Sequence, residues 1–325
     1  MALGSIVIGL GACTPIKKGE YASGSATIYC DDGFKNILEE EIEVFEYTYP
    51  QASIIPFYVS EGEAIDTFLN DGTQAIITTQ ELTKDQIQYM RSKFKRVVRQ
   101  QCIAVDAVAL IANKDNNVSA LSMEQISDIL NGKITHWNQL AGNDTTAIKI
   151  VFDNAESSTV RYLRDKFLPE GQKISDNTNS FAQQNNAQVF DIVKNDPTAL
   201  GVISVSWLGD DLSAAKKVPL DKRVEDYENQ NDTIATNLTT EINIIKVSNP
   251  TQDNDYNPVS YAPYQAYIYS GDYPLVRKVY MISSASNSTV LHSFYVYVTG
   301  FVGQKIISKT GILPFQMNPR VVQVI

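Results

Sequence analysis

The sequence predicts an α/β protein built on a largely parallel sheet, and three observations carry that expectation. Strand-like and helix-like segments alternate three times between Ala26 and the helix that opens at Thr83, the pattern of a parallel sheet with functional loops at the strands' carboxyl ends. A long apolar segment of strand character, Gln101 to Asn113, leads into a second block with its own strands and helices. The chain has 325 residues, 43% hydrophobic and 20% charged, which suffices for one large or two medium domains.

In order, Ala26-Thr27-Ile28-Tyr29-Cys30 reads as a strand, and Asp31-Asp32-Gly33 turns into a helix carrying Phe34, Ile37, Leu38, Ile42 and Phe45 until Pro50. Residues 52–59 form a second strand region; Ser60-Glu61-Gly62 then opens a helix with Ala64, Ile65, Phe68 and Leu69, stopped at Asp71-Gly72. Gln74-Ala75-Ile76-Ile77 is a third strand, followed by Thr78-Thr79. In the second block Ser122 and Gln125 make a capping box for a helix through Ile126, Ile129 and Leu130 that closes at Asn131-Gly132. Val189 to Lys194 is a further helix, and Gly201 to Trp207 a buried strand. From about 221 to 261 the composition turns to Asn, Asp, Gln and Thr, read as exposed loops around one or two strands that elaborate the second block. Arg277 to Ser283 returns as a strand and Val290 to Val302 as a helix.

The segment richest in chemistry is Ser157-Ser158-Thr159-Val160-Arg161. It follows the β-branched run Ile148 to Phe152 and opens a helix with Tyr162, Leu163, Lys166 and Phe167 before Pro169. A helix start leaves its first N–H groups unpaired and carries about half a positive charge, so an oxyanion there takes N–H and O–H donors together. The same hydroxyls also suit plain helix capping. The net charge of −10 sets the whole molecule's field against nucleic acid and anionic membrane. A small anion must therefore be won by local donors.

The start, Met1 to Cys13, is an apolar run too short to span a bilayer, and its Leu10-Gly11-Ala12-Cys13 resembles the end of a bacterial lipoprotein signal, with Cys13 the lipidated (palmitate-bearing) residue; a buried strand with an ordinary cysteine is the alternative. Cys30 and Cys102 are expected as buried free thiols. With only His136 and His292 and no close Cys/His spacing, no metal site and no cofactor are expected.

Asp106 to Ile111, Leu121 to Ile126 and the run Leu130-Asn131-Gly132-Lys133-Ile134-Thr135-His136-Trp137-Asn138-Gln139-Leu140 resemble the phosphate-binding proteins of high-affinity phosphate ABC transporters. Ser157 to Arg161 is similar to that family's Ser-Gly-Thr-x-Arg loop, Leu200 to Ile203 to its Ile-Gly-Tyr strand, and Tyr273 to Arg277, Gly303-Gln304 and Gly311 to Pro314 to its C-terminal part. The resemblance runs in order from about residue 26 to 315. It implies a two-lobed type II periplasmic binding protein, each lobe a mixed sheet flanked by helices, with Gln101–Asn113 and Arg277–Ser283 as the two crossover strands. The implied division is a signal remnant and tether at 1–24, a first lobe of 25–105 plus 280–325, and a second lobe of 106–279 that holds the polar insertion.

Carried over by position, the resemblance implies ligand contacts at Ser60, Ser157, Ser158 and Thr159, with Asp32 and Gly33 in the loosely aligned first loop and Arg161 one turn inside the helix. Two positions depart: Asp153 stands where the family has an arginine, and Thr79 where it has the aspartate that accepts the phosphate proton. An unpaired buried carboxylate facing phosphate costs several kcal/mol, so either Asp153 points away or the ligand is not phosphate. Arg161 either supplies the missing charge or pairs with a surface acid.

The function expected is a non-enzymatic lipoprotein, a monomer on the periplasmic side of a bacterial cell envelope, capturing phosphate or another small oxyanion for a membrane permease. The alternative keeps the scaffold for another polar solute or a sensing role, which the acids Asp31, Asp32, Glu61, Glu63, Asp153 and Glu156 suit. A serine hydrolase ranks last, because neither His136 nor His292 has a motif partner.

Overall fold

The structure is a computed structural model that describes residues 22–176, 179–209, 217–229, 238–248 and 259–316. Cys13, its tether up to residue 21 and part of the polar insertion lie outside them. In chain order the strands are β1 (Gly24–Asp31), β2 (Ala52–Val59), β3 (Ala75–Thr78), β4 (Arg99–Ala112), β5 (Ala120–Leu121), β6 (Lys149–Phe152), β7 (Ser180–Ala182), β8 (Ala199–Ser204), β9 (Asn243–Ser248), β10 (Ser260–Tyr261), β11 (Val276–Ser283) and β12 (Leu313–Pro314). The helices are α1 (Lys35–Thr48), α2 (Glu61–Leu69), α3 (Lys84–Phe94), α4 (Met123–Leu130), α5 (Ser158–Phe167), α6 (Asn186–Asn195), α7 (Leu220–Glu228), α8 (Gln265–Ser270), α9 (Val290–Thr299) and α10 (Phe301–Ser308).

The strand order is β2-β1-β3-β11-β4-β8-β6-β7. β1 lies parallel to both β2 and β3, and β6 parallel to both β7 and β8, as successive strand-to-helix units require. β4 is the shared element: Arg99 to Ala107 pairs antiparallel with β11, and Val108 to Ala112 with β8. It thus leaves the sheet of the first lobe and enters that of the second. Its residues 107–112 are all buried, which explains the unbroken apolar run. β4 and β11 are the two crossover strands expected at 101–113 and 277–283.

Helix starts follow the capping chemistry in the sequence. Thr83 caps α3 and Ser122 caps α4, each with a glutamine three residues on that bonds back to the cap N–H. In the first-lobe core Phe45 meets Phe294 and Tyr297 edge-on, with ring centroids 5.1 and 5.2 Å apart. Each such ring contributes about 1.5–3 kcal/mol through burial. In the second lobe Trp137, from the most specific run of the sequence, is buried and donates Nε1–H to the Thr198 carbonyl at 3.1 Å. Cys30 and Cys102 are free and buried.

Three expectations are corrected. The polar stretch from 221 is not wholly loop, nor does all of it elaborate the second lobe. α7 lies against α1 and α10, with Val224 and Tyr227 buried beside Val44 and Ile306, and Arg223 and Tyr227 both bonded to buried Glu40. The apolar positions Leu220, Val224 and Tyr227 recur at helical spacing but are too few to stand out in so polar a segment. Among the described residues of this stretch, β9 joins the second lobe beside β4, and β10 pairs with β9. The helix expected over 290–302 is two helices, broken at Gly300, where α9 ends and α10 begins. A side chain at Gly303 would put its Cβ 2.6 Å from the Val298 Cα and carbonyl oxygen, so α10 folds back onto α9 only with glycine there. The strand expected over 201–207 ends at Ser204, and residues 205–207 form a 3₁₀ turn that carries Ser206 and Trp207 to the first lobe.

Candidate functional site

The site forms where the carboxyl-end loops of β1, β3 and β6 face one another across the lobes. β6 ends at Phe152, and the loop that follows delivers Ser157 to the start of α5, where its Oγ accepts the Val160 N–H at 3.2 Å. The same hydroxyl donates to Asp153 Oδ1 at 2.5 Å. Ser158 and Thr159 are fully buried in the first turn. The Ser158 N–H, one of the donors a helix start leaves unpaired, donates to Asp31 Oδ2 at 3.1 Å, and the other Asp31 oxygen accepts the Gly33 N–H at 3.0 Å. A carboxylate of the first lobe therefore sits on the helix start of the second.

Two further junctions flank it. Asp32 Oδ2 accepts from the Asn186 N–H at 3.1 Å and from Asn186 Nδ2 at 3.3 Å, at the start of α6, while Nδ2 also donates to Asp153 Oδ2 at 3.0 Å. On the other side Glu61, buried at the start of α2, accepts from the Thr79 N–H at 2.6 Å and the Thr79 hydroxyl at 2.7 Å. Arg161 reaches across from α5, with Nε 2.6 Å from Glu61 Oε2 and Nη2 2.7 Å from Thr79 Oγ1. The Gly33 carbonyl accepts from Ser206 Oγ at 2.8 Å and Trp207 Nε1 at 3.2 Å. The lobes are closed on each other.

Seven of the eight residues singled out in the sequence, Asp32, Gly33, Thr79, Ser157, Ser158, Thr159 and Arg161, come together here. Ser60 stands at the edge, its hydroxyl spent on the Glu63 N–H at 3.2 Å as the cap of α2. Asp153 does not point away: it is 1% exposed and turned inward onto Ser157 and Asn186. Arg161 does not pair only with a surface acid, although Asp165 lies 3.4 Å from it; its closest partner is buried Glu61. The sequence reading missed Asp106, Asn186, Ser204, Ser206 and Arg277. For Arg277 a signal existed: it shares the inward phase of β11 with Val279 and Met281, and an arginine in the buried phase of a strand needs a partner. The partner is Asp106, opposite it on β4, with Arg277 Nε 2.8 Å from Oδ2.

Burial raises the Asp31 carboxyl to about 6, against the lowering effect of the Arg277 guanidinium. Burial, and next the negative Asp31, raise Asp153 to about 7. Near neutral pH both exchange protons readily, so the pair offers either acceptors or O–H donors. Among the described residues no group of three or more His, Cys, Asp and Glu is arranged to hold a metal ion. No helix there is long and apolar enough to cross a membrane.

A family profile described as a PBP superfamily domain matches residues 17–302. The chain belongs to the PBP superfamily. Among relatives of this superfamily member, the phosphate-binding protein PstS of Pseudomonas aeruginosa is 22% identical over an alignment covering 96% of this chain and 93% of that protein. PstS of Borreliella burgdorferi is 23% identical over 46% of this chain and 53% of its own length, so there the match spans about half of the relative. Among solved structures, a Clostridium perfringens protein described as a phosphate ABC transporter substrate-binding protein, with bound phosphate, superposes with a TM-score of 0.68 at 20% identity, covering 90% of this chain and all of that one. That likeness shows the two-lobed α/β fold.

Proposed function

We propose that this PBP superfamily member captures a small tetrahedral oxyanion, phosphate, between its lobes and hands it to a membrane permease for uptake. The observation that carries the reading is the Asp31 carboxylate on the Ser158 and Gly33 N–H groups. The chain itself puts an oxyanion on the start of α5, so this nest of donors is shaped and charged for one. The names of the PstS relatives and the phosphate-bound neighbour point to the same ligand class.

The acids do not bar an anion. Asp31 and Asp153, raised to about 6 and about 7, take up protons when a negative ligand arrives, and a protonated carboxyl donates a hydrogen bond to it. The reading includes the residue roles given above, the lobe boundaries expected from the sequence with α7 moved to the first lobe, a lipid anchor at Cys13 on the periplasmic side, and action as a monomer. It is a binding role without turnover: exposed His136 bonds Thr135, and Ser157 is engaged by Asp153. Calorimetric titration with phosphate, sulfate and molybdate tests it, and the absence of both heat and thermal shift with all three refutes it.

A second reading has one observation in its favour. Four buried carboxylates, Asp31, Glu61, Asp106 and Asp153, face two arginines, a balance that suits a neutral polar or cationic solute. Native mass spectrometry of the protein as purified separates the two readings, since co-purified phosphate counts against the second.

A further inference from the structure

Behind the start of α5 stands a cation that no loop supplies. Arg277 comes from the crossover strand β11 and is 6% exposed. Its Nε is fixed by Asp106 at 2.8 Å, and Asp106 is itself fixed by Ser204 Oγ at 2.8 Å. Nη1 lies 3.0 Å from Ser158 Oγ, and the guanidinium rests over the Phe34 ring, 5.5 Å from its centroid. Nη2 has no hydrogen-bond partner. A Cβ on Gly33 would lie 3.7 Å from Nη2, so this N–H group faces the gap between the first-lobe loop and the start of α5. In that first turn Thr159 Oγ1, fully buried, also lacks a partner. Native interiors rarely leave such donors unpaired, so two of them at one helix start call for a partner: a bound molecule, an ion or water.

We propose that Arg277 is the cationic anchor of the bound oxyanion, taking it with Nη2 and, from α5, Thr159 Oγ1. The inference rests on the oxyanion reading above and deepens it. It explains how the chain manages with Asp153 where the resemblance places an arginine: the positive charge at the start of α5 comes from a crossover strand and not from the loop before the helix. The cross-strand pair with Asp106 presents the planar fork in one orientation, as recognition of a tetrahedral oxyanion needs. Asp31 now takes the Ser158 N–H beside that fork, and the anion shares or displaces it.

The test is calorimetric titration of inorganic phosphate into the wild type and four variants, with thermal melts of each. Arg277→Lys keeps the charge but loses the fork and is expected to bind roughly tenfold more weakly; Arg277→Gln is expected to bind roughly a hundredfold more weakly. Because Arg277→Gln leaves Asp106 buried and unpaired, the double variant D106N/R277Q removes both charges together and is expected to bind as weakly as Arg277→Gln. Thr159→Val is expected to lose roughly tenfold in affinity while melting no lower than the wild type, because a methyl replaces a hydroxyl that has no partner. Wild-type affinity in D106N/R277Q overturns the anchor role and leaves the oxyanion reading standing. A wild type that takes up no phosphate overturns both.

Discussion

Replacing Asp153 by asparagine separates the charge at this position from its shape. The carboxyl accepts from Ser157 Oγ at 2.5 Å and Asn186 Nδ2 at 3.0 Å, and burial followed by the nearby Asp31 raises it from 3.8 to about 7. A rise of roughly three units means that ionising the folded protein costs about 4 kcal/mol more than ionising the unfolded chain. The folded-state value lies above the unfolded one, so the stability tied to this group is complete below about pH 4 and is lost as pH rises through about 7. Asparagine stays neutral throughout. Its Oδ1 takes over the Ser157 hydroxyl, but its Nδ2 meets another donor, Asn186 Nδ2. Asn186 resolves this by turning over, since its Oδ1 has no partner, and gives up its 3.3 Å side-chain bond to Asp32. That loss costs about 1 kcal/mol. Because about 1.5 of those 4 kcal/mol is already lost at pH 5, D153N is expected to be about 3 kcal/mol more stable than the wild type at pH 8.5 and only about 0.5 kcal/mol more stable at pH 5, read from urea unfolding midpoints. Phosphate affinity at pH 8 should rise roughly tenfold or more, because a like charge beside the anion is gone. A variant less stable than the wild type at pH 8.5, or a difference that stays constant between the two pH values, refutes the reasoning.

The remaining expectations concern closure and packing. R161Q removes the bridge from α5 to Glu61 and Thr79, so without ligand the lobes should part, seen as a larger radius of gyration in small-angle X-ray scattering; an unchanged radius contradicts the closing role. G303A should cost about 2 kcal/mol or more, since its Cβ meets backbone at 2.6 Å, whereas G62A, with nothing within 4 Å in α2, should gain roughly 0.5–1 kcal/mol in the same melts. Glu41 is 1% exposed with neither carboxyl oxygen bonded, and burial pushes it well above the usual carboxylate range, so E41M should raise the urea midpoint at pH 8 by the equivalent of about 1 kcal/mol or more. A lowered midpoint counts against an unpaired acid there.

Much of the fold was legible because local rules and tertiary packing agree along it. β2 reads from its own residues, and the capping boxes at Thr83 and Ser122 mark helix starts that packing did not move. The apolar stretch at 101–113 announced a strand buried on both faces. Where reading failed, the deciding contact lay far along the chain. α7 is polar by composition and is held by Arg223 on Glu40, 183 residues away. The break at Gly300 depends on how α10 returns against α9, which periodicity does not report.

The same division runs through the site. The sequence by itself determined that Ser157, Ser158 and Thr159 open a helix after a buried strand, because hydroxyl caps, β-branched runs and helical spacing act over a few residues. Only the tertiary structure decided which charges face them. Asp31 crosses 127 residues of chain to the Ser158 N–H, Arg161 crosses 100 to Glu61, and Arg277 crosses 119 to Ser158. The physical reason is one of range: a helix start is made by neighbours in sequence, whereas a buried charge is settled by whatever the closed lobes bring within hydrogen-bond distance of it.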